Sequence, residues 1–202
     1  MLEGSLMGNL SSIGMNAQRW ILNKFALSRV NYWSTFVIDF STAVFFVIWG
    51  IHYSPNHLWS VVTAFIAGIG SWTLTEYVFH RWIYHQPQLI FGEGHALHHE
   101  EDEMLIAMPW FISTLLMFAL WTPITYVFGF SLFSPVLGGW LVGFVYYSLV
   151  HHSHHHWNLE IGWMRKLKAY HRVHHQFPNC NFGVTMRFWD IVFGTRYRRP
   201  TP

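Results

Sequence analysis

The stretch Leu58–His85, LWSVVTAFIAGIGSWTLTEYVFHRWIYH, runs from a long apolar segment directly into two histidines. Its first part, Leu58 to Phe79, is long enough as a helix to cross ~30 Å of hydrocarbon at ~1.5 Å of rise per residue. The one charged residue in that part is Glu76. A carboxylate inside a membrane-length segment is costly unless it has work to do. Four residues before His80, it shares that ring's helix face and is expected to accept a hydrogen bond from the ring nitrogen a metal does not use, fixing the tautomer. One segment therefore sets two expectations, a spanning helix and a histidine site at its end.

Working outward, three more segments have the length and apolarity of spans: Phe36 to Tyr53, Met108 to Phe130 and Pro135 to Val150. The last is the shortest and contains Gly138, Gly139 and Gly143, so its boundaries are expected to be soft. Only Asp39 and Glu76 carry charge within the four spans. A central Asp or Lys costs roughly 2.5–3.5 kcal/mol of insertion, and both residues lie towards span ends. Ser54 to His57 and Ser131 to Ser134 are short enough to be tight turns on one side of the membrane. Both termini, the Arg81 to Ala107 connection and the tail from His151 then fall on the other side, with every Lys and Arg, from Arg19 to Arg199. The positive-inside rule makes that side cytoplasmic. Gln18 to Val30 mixes Trp20, Leu22 and Phe25 with Arg19, Lys24 and Arg29, the composition of an interfacial helix or an ordinary packed one. Pro123 is expected to kink the third span, and Trp163 to His175 to form a helix outside the membrane.

Composition supports a bilayer as solvent: of 202 residues 52% are hydrophobic, 19% aromatic and only 11% charged. The formal charge of +2 comes without a basic run, which argues against nucleic acid as a partner. A single cysteine, Cys180, excludes an internal disulfide framework and a cysteine metal site. Met1 to Arg19 shows no compact apolar core followed by a cleavage site, so no removable leader is expected. The expected organisation is one all-α domain over 1–202. An N-terminal segment (1–35) precedes an integral membrane four-helix region (36–150), and a cytoplasmic helical cap (151–202) helps hold a dinuclear metal site.

Histidine is the feature that points to chemistry. The rings fall into four groups: His80 with His85; His95 with His98 and His99; His151 with His155 and His156; His171 with His174 and His175. Residues three and four apart share a helix face, so each group aims several imidazoles at one point. Neutral imidazole suits iron, zinc, copper and nickel, and not magnesium or calcium. Ten of these histidines are too many for one ion. Shared between two six-coordinate ions they give about five each and leave an exchangeable position, which catalysis requires. His52 and His57 lie at the other ends of their spans and should take no part. His152 and His154 break the register of His151 and His155 and are expected behind the ligands or in solvent. The acidic run Glu100 to Glu103 reads as a solvated loop edge, and Asp39 as a carboxylate with no assigned partner.

EYVFHRWIYH (Glu76–His85), GHALHH (Gly94–His99), YYSLVHHSHHH (Tyr147–His156) and YHRVHHQFPNCNFGVTMRFWDIVFGT (Tyr170–Thr195), in that order, resemble the fatty acid hydroxylase and sterol desaturase superfamily of membrane di-iron enzymes. The last segment is similar to the fatty acid 2-hydroxylase branch. The resemblance implies two irons held by His80, His85, His95, His98, His99, His151, His155, His171, His174 and His175, with zinc able to replace iron in a purified sample. Glu76 and Asp190 are expected to support those ligands from behind. It further implies insertion of one oxygen atom from dioxygen into a lipid C–H bond, with electrons expected from an external carrier, a b-type cytochrome or a ferredoxin with its reductase. Ser148 stands where the branch carries an acidic residue, and the connection from His85 to His95 is short for that branch.

Two other readings remain open within the same chemistry, a carotenoid or sterol hydroxylase and a desaturase. From a different class comes a membrane metal-binding or transport protein. That reading asks for polar residues along the spans, whereas here the spans are almost uncharged and the histidines gather at one end. A structural zinc protein would need neither so many ligands nor a vacant position.

Overall fold

The computed structural model describes residues 20, 22–54, 57–86, 88–158 and 161–199. Met1–Arg19, on which the leader expectation rests, lies outside them. Among the described residues all regular structure is helical. A π-helical turn at Leu22–Ala26 precedes α1 (Arg29–His52) and α2 (Leu58–Phe79), and α2 continues through a second π turn at His80–Tyr84. Then come α3 (Ile90–Glu100), α4 (Trp110–Phe128), α5 (Phe130–His156), α6 (Gly162–Gln176) and the short α7 (Phe188–Val192). Four helices are long and apolar enough to cross a membrane: Arg29–His52, Leu58–Tyr84, Trp110–Phe128 and Phe130–His156.

The expected number of spans is observed, but boundaries differ, most at the start of the first and at both ends of the fourth. The first span begins at Arg29, where the Ser28 hydroxyl accepts a hydrogen bond from Asn31 N (3.3 Å) and caps the helix. Ser131–Ser134, expected as a tight turn, is instead the first turn of α5, and the chain reverses at Gly129 alone, with φ +95°. Only glycine adopts that angle without strain. Over its described part, Gln18–Val30 forms a single π turn and the start of α1, in place of one continuous helix.

Nor do the glycines of α5 soften its ends. They are its packing seams. α5 runs between α1 and α2, and a Cβ at Gly139 would stand 2.0 Å from the Phe65 carbonyl oxygen, one at Gly138 3.0 Å from that of Ala43, and one at Gly143 2.6 Å from the Trp72 Cβ. Gly68 on α2 returns the contact, its Cβ position 2.0 Å from the Val136 carbonyl oxygen. Lipid tails are as apolar as leucine, so helices inside a bilayer associate through such close approach. Around the seams pack Ala43, Phe46, Met117 and Leu141, and, nearer the histidines, Trp72, Tyr147, Val150 and Val184. α4 is tied to α1 by polar bonds. The Asn31 amide donates to the carbonyls of Ala107 (3.3 Å) and Met108 (3.2 Å) and accepts from Trp110 N (3.0 Å), while Ser113 Oγ donates to buried Asp39 (3.2 Å). Asp39 thereby acquires a partner, on α4 and not at the histidines.

Candidate metal centre

α2 and α5 both end at one end of the bundle, and α3 and α6 cover it. His80 closes α2, and the π turn that follows carries His85 round to the same side, its ring 5.4 Å from that of His80. An i, i+5 pair does not meet on a regular α-helix; the wider turn of a π-helix lets it. α3 supplies His95, His98 and His99, α5 His151 and His155, and α6 His171, His174 and His175. The helix expected at Trp163–His175 is observed as α6. His52 and His57 lie at the opposite end, as expected from their place in the chain.

The rings form two groups. In the first, one nitrogen from each of His80, His85, His95, His99 and His174 lies within 4.8 Å of all the others; the second joins His98, His155, His171 and His175 in the same way. The closest approaches are between Nε2 atoms: His95 to His99 3.0 Å, to His80 3.1 Å and to His85 3.3 Å, His85 to His174 3.2 Å, and His171 to His155 3.0 Å and to His175 3.1 Å. A neutral imidazole has one N–H and one lone pair. His95 Nε2 therefore cannot satisfy three neighbouring nitrogens by hydrogen bonding. His98 Nε2 is buried with no partner at all. Lone pairs brought this close repel one another unless a cation lies between them, so the residues fit a metal in each group.

Of the ten expected ligands, His151 alone stands outside both tight groups. It lies against the second, its ring centroid 4.6 Å from that of His98 and 4.9 Å from those of His155 and His171. One turn before His155 on α5, it is stacked on Tyr147 (5.8 Å). The other histidines of this run are placed by packing. His152 is buried against Trp33 with its Nδ1 2.9 Å from the Tyr32 hydroxyl, His156 stacks on it, and buried His154 turns its Nδ1 to the Val150 carbonyl (3.3 Å). Neither His152 nor His154 is solvated.

Behind the ligands lies a segment whose role composition does not announce. His80 Nδ1 donates to the Phe182 carbonyl (2.5 Å) and His174 Nδ1 to the Cys180 carbonyl (2.7 Å). Each ring is thereby held as the tautomer with a free Nε2 lone pair. The expected bond from Glu76 to His80 is not made. Glu76 instead accepts from Val184 N (2.8 Å), Thr185 N (2.9 Å) and the Thr185 hydroxyl. Asp190, fully buried on α7, accepts from Phe182 N (2.9 Å), Gly183 N (2.8 Å) and the Thr195 hydroxyl (2.7 Å). Two carboxylates thus grip the backbone of Phe182–Thr185 from either side, and that backbone orients His80. Gly183 has no room for a side chain: its Cβ would stand 1.9 Å from the Met186 carbonyl oxygen. Glu100 to Glu103 are all exposed, the solvated edge expected, with Asp102 bringing a carboxylate oxygen to 3.8 Å from His155 Nδ1 of the second group. Ser148 bonds the Phe144 carbonyl within its own helix and touches no ligand.

Electrostatics keeps the rings outside the spans neutral. Burial first, and then the neighbouring rings, hold His99 down to about 3, and burial likewise holds His174 to about 3. His95 and His171 are likewise driven well below the ordinary imidazole range, by burial first and then by the neighbouring rings. Neutral imidazoles are the form a metal takes.

A family model described as fatty acid hydroxylase matches residues 65–195, well over half of the chain, and includes all four histidine groups. The chain belongs to the fatty acid hydroxylase family. Among its relatives in that family, the dihydroceramide fatty acyl 2-hydroxylase FAH1 of Arabidopsis thaliana is 27% identical over 96% of this chain and 92% of its own length. The ceramide very long chain fatty acid hydroxylase scs7 of Schizosaccharomyces pombe is 31% identical over 66% of this chain, and the fatty acid 2-hydroxylase of Homo sapiens 24% over 85%. This hydroxylase-family chain spans less than half the length of those two, 42% and 46%. A solved structure of full-length Scs7p, in which only the hydroxylase domain is visible, superposes with a TM-score of 0.73 at 28% identity, covering 88% of this chain and 70% of that one.

Proposed function

We propose that this chain is a membrane di-iron oxygenase that hydroxylates a fatty acyl chain, at the carbon next to the carbonyl as the names of its relatives indicate. The observation that carries the reading is the pair of nitrogen clusters at one end of an apolar four-helix bundle. His80, His85, His95, His99 and His174 hold one iron. His98, His155, His171 and His175 would hold the other, with the His151 ring beside them. Bound iron supplies the dioxygen and C–H chemistry that no side chain performs. The balance is one C–H bond, one dioxygen, two electrons and two protons giving one C–OH and one water.

The chain's own residues position and exclude. Phe182 and Cys180 fix the tautomers of His80 and His174 through their carbonyls, Glu76 and Asp190 keep Phe182 in place, and the depressed proton affinity of the outer rings keeps them available as ligands. Trp72, Tyr147, Val150 and Val184 pack beneath the site and keep water from reaching it through the bundle. The acyl chain reaches the irons from the hydrocarbon while its head group stays at the interface. The metal end and both termini face the cytoplasm, because the basic residues gather there. Electrons arrive from a separate b-type cytochrome or a ferredoxin with its reductase.

Lipid mass spectrometry of cells with and without the chain, grown under oxygen-18, tests this directly. Expected is a gain of one labelled oxygen at the second acyl carbon. A new double bond instead would establish desaturation, and an unchanged acyl pool with an oxidised sterol or carotenoid would move the chain to another substrate class.

A further inference from the structure

α7 carries Asp190 inward under the metal site, but its outer face is apolar and bare: Phe188 is 55% exposed, Ile191 62%, Val192 54% and the adjoining Phe193 44%. Four large exposed apolar residues between positions 188 and 193 on a water-facing cap would be a patch without a reason. Their position supplies one. Trp189 Nε1 donates to the Thr73 hydroxyl (3.1 Å), and Phe193 stacks on Tyr77 (5.1 Å). Thr73 and Tyr77 belong to the span Leu58–Tyr84, Thr73 lying ~16 Å of helix before its end. α7 therefore packs against the last turns of a helix long and apolar enough to cross a membrane, at a depth hydrocarbon would reach, and is continuous with exposed Leu74 and Trp82. Its backbone is bonded as that depth requires: Ile191 N to the Arg187 carbonyl (3.3 Å), Phe193 N to Trp189 (2.9 Å), Gly194 N to Ile191 (3.4 Å) and Thr195 N to Asp190 (2.9 Å).

Charge marks the other edge. Beside α7 a cavity of about 370 Å³ is lined by Ile191, Gly194, Arg196, Tyr197 and Arg198, with buried Asp190 at its wall. Asp190 turns both oxygens to Phe182 N, Gly183 N and the Thr195 hydroxyl, away from a guest. Arg187, Arg196, Arg198 and Arg199 are exposed and make no ion pair among the described residues. We propose that α7 is a wedge set in the leaflet at the metal end, and that Arg196, Arg198 and Arg199 bind the phosphates of anionic lipid head groups beside it. Apolar residues at hydrocarbon depth with arginines just past them match the cross-section of a leaflet. Because Asp190 lies on the same short helix, the lipid that seats α7 also steadies the backbone that orients His80. The inference needs only that the chain spans a membrane, and holds whatever the substrate.

The test uses the full chain in phosphatidylcholine vesicles with a minor fraction of phosphatidylserine. A bimane label on Ile191→Cys, in a Cys180→Ser background, should be quenched by brominated acyl chains and shielded from aqueous iodide, and Val192→Cys should report the same. A label freely quenched by iodide and indifferent to bromine overturns the wedge. Spin-labelled phosphatidylserine should associate with the wild-type chain in preference to spin-labelled phosphatidylcholine. That preference should fall on the order of fivefold for each arginine neutralised in R196Q/R198Q/R199Q. An unchanged preference overturns the phosphate assignment. So does loss of binding to an acidic electron carrier with lipid preference intact, which would make the arginines a protein dock.

Discussion

Replacing Glu76 with alanine should loosen one metal and largely spare the other. The Glu76 carboxylate is 3% exposed and accepts two backbone N–H groups, those of Val184 and Thr185, besides the Thr185 hydroxyl. Removing it leaves two buried amides unpaired at about 1–3 kcal/mol each, so roughly 2–6 kcal/mol acts to move Phe182–Thr185. The Phe182 carbonyl moves with the segment, and His80 loses the acceptor that fixes its tautomer. Loss of such a partner typically costs 10–100-fold in metal affinity, or about 1.4–2.7 kcal/mol. The loss should fall on the ion held with His80, since the His98, His155, His171 and His175 group contains no ring bonded to this segment. Glu76→Gln keeps one oxygen for both amides and lets the Thr185 hydroxyl turn to accept, so most of the affinity should remain. The assay is anaerobic ferrous-iron titration against a chelator, fitted for two sites. Alanine leaving both sites at wild-type affinity, or weakening both equally, would refute the argument that Glu76 acts through Phe182 and His80.

Gly183→Ala places a methyl 1.9 Å from the Met186 carbonyl oxygen and should destabilise by at least about 1–3 kcal/mol, whereas Gly162→Ala, with nothing within 4 Å, should be neutral or mildly stabilising; thermal unfolding in detergent compares them. His98→Ala and His174→Ala should each lower metal content, one in each group, while His52→Ala and His156→Ala leave it unchanged by elemental analysis. In the metal-free chain His174 stays neutral down to about 3, whereas the unfolded chain protonates it near 6.5. Stability is therefore complete above pH 6.5 and drains as pH falls towards 3, by about 1.4 kcal/mol per pH unit for each histidine so held. Denaturation midpoints that do not move between pH 7 and pH 5 would count against buried neutral rings.

The gathering of the rings was legible because helix periodicity converts sequence spacing directly into direction: HxxHH on α3 and α6 leaves little freedom about where the rings point. Membrane crossing was legible for a similar reason, since length and apolarity are local properties. What escaped were features set by contacts distant in sequence. Glu76 shares a face with His80, yet its partners lie at Val184 and Thr185, over a hundred residues on, and no periodicity encodes that. The carbonyls of Phe182 and Cys180 are invisible in principle, because every residue has one. Asp102 is solvated, as its charged neighbours in sequence suggest, but its approach to His155 is set by the fold. The glycines of α5 were visible but ambiguous, since a short apolar segment with three glycines reads equally well as a weak helix or as a tightly packed one.

The glycine seams couple the bundle mechanically to the histidines. α5 brings His151 and His155 to the site and touches α2, which brings His80, through backbone-to-glycine contacts at Gly139 and Gly68. A Cβ at Gly139 requires Phe65 and its helix to withdraw by more than an ångström, because ordinary van der Waals contact begins near 3.4 Å and only 2.0 Å is present. Both helices are rigid rods with their histidines at the same end. A shift introduced at the seam therefore reaches the metal ends with little loss, and the two nitrogen groups, each spanning no more than 4.8 Å, have little slack to absorb it. Gly139→Leu should thus lower metal content even though residue 139 is about three turns from the nearest ligand on α5. Full metal content in that variant would mean that the seams set stability alone, and that the site is aligned by α3 and α6 without help from the bundle.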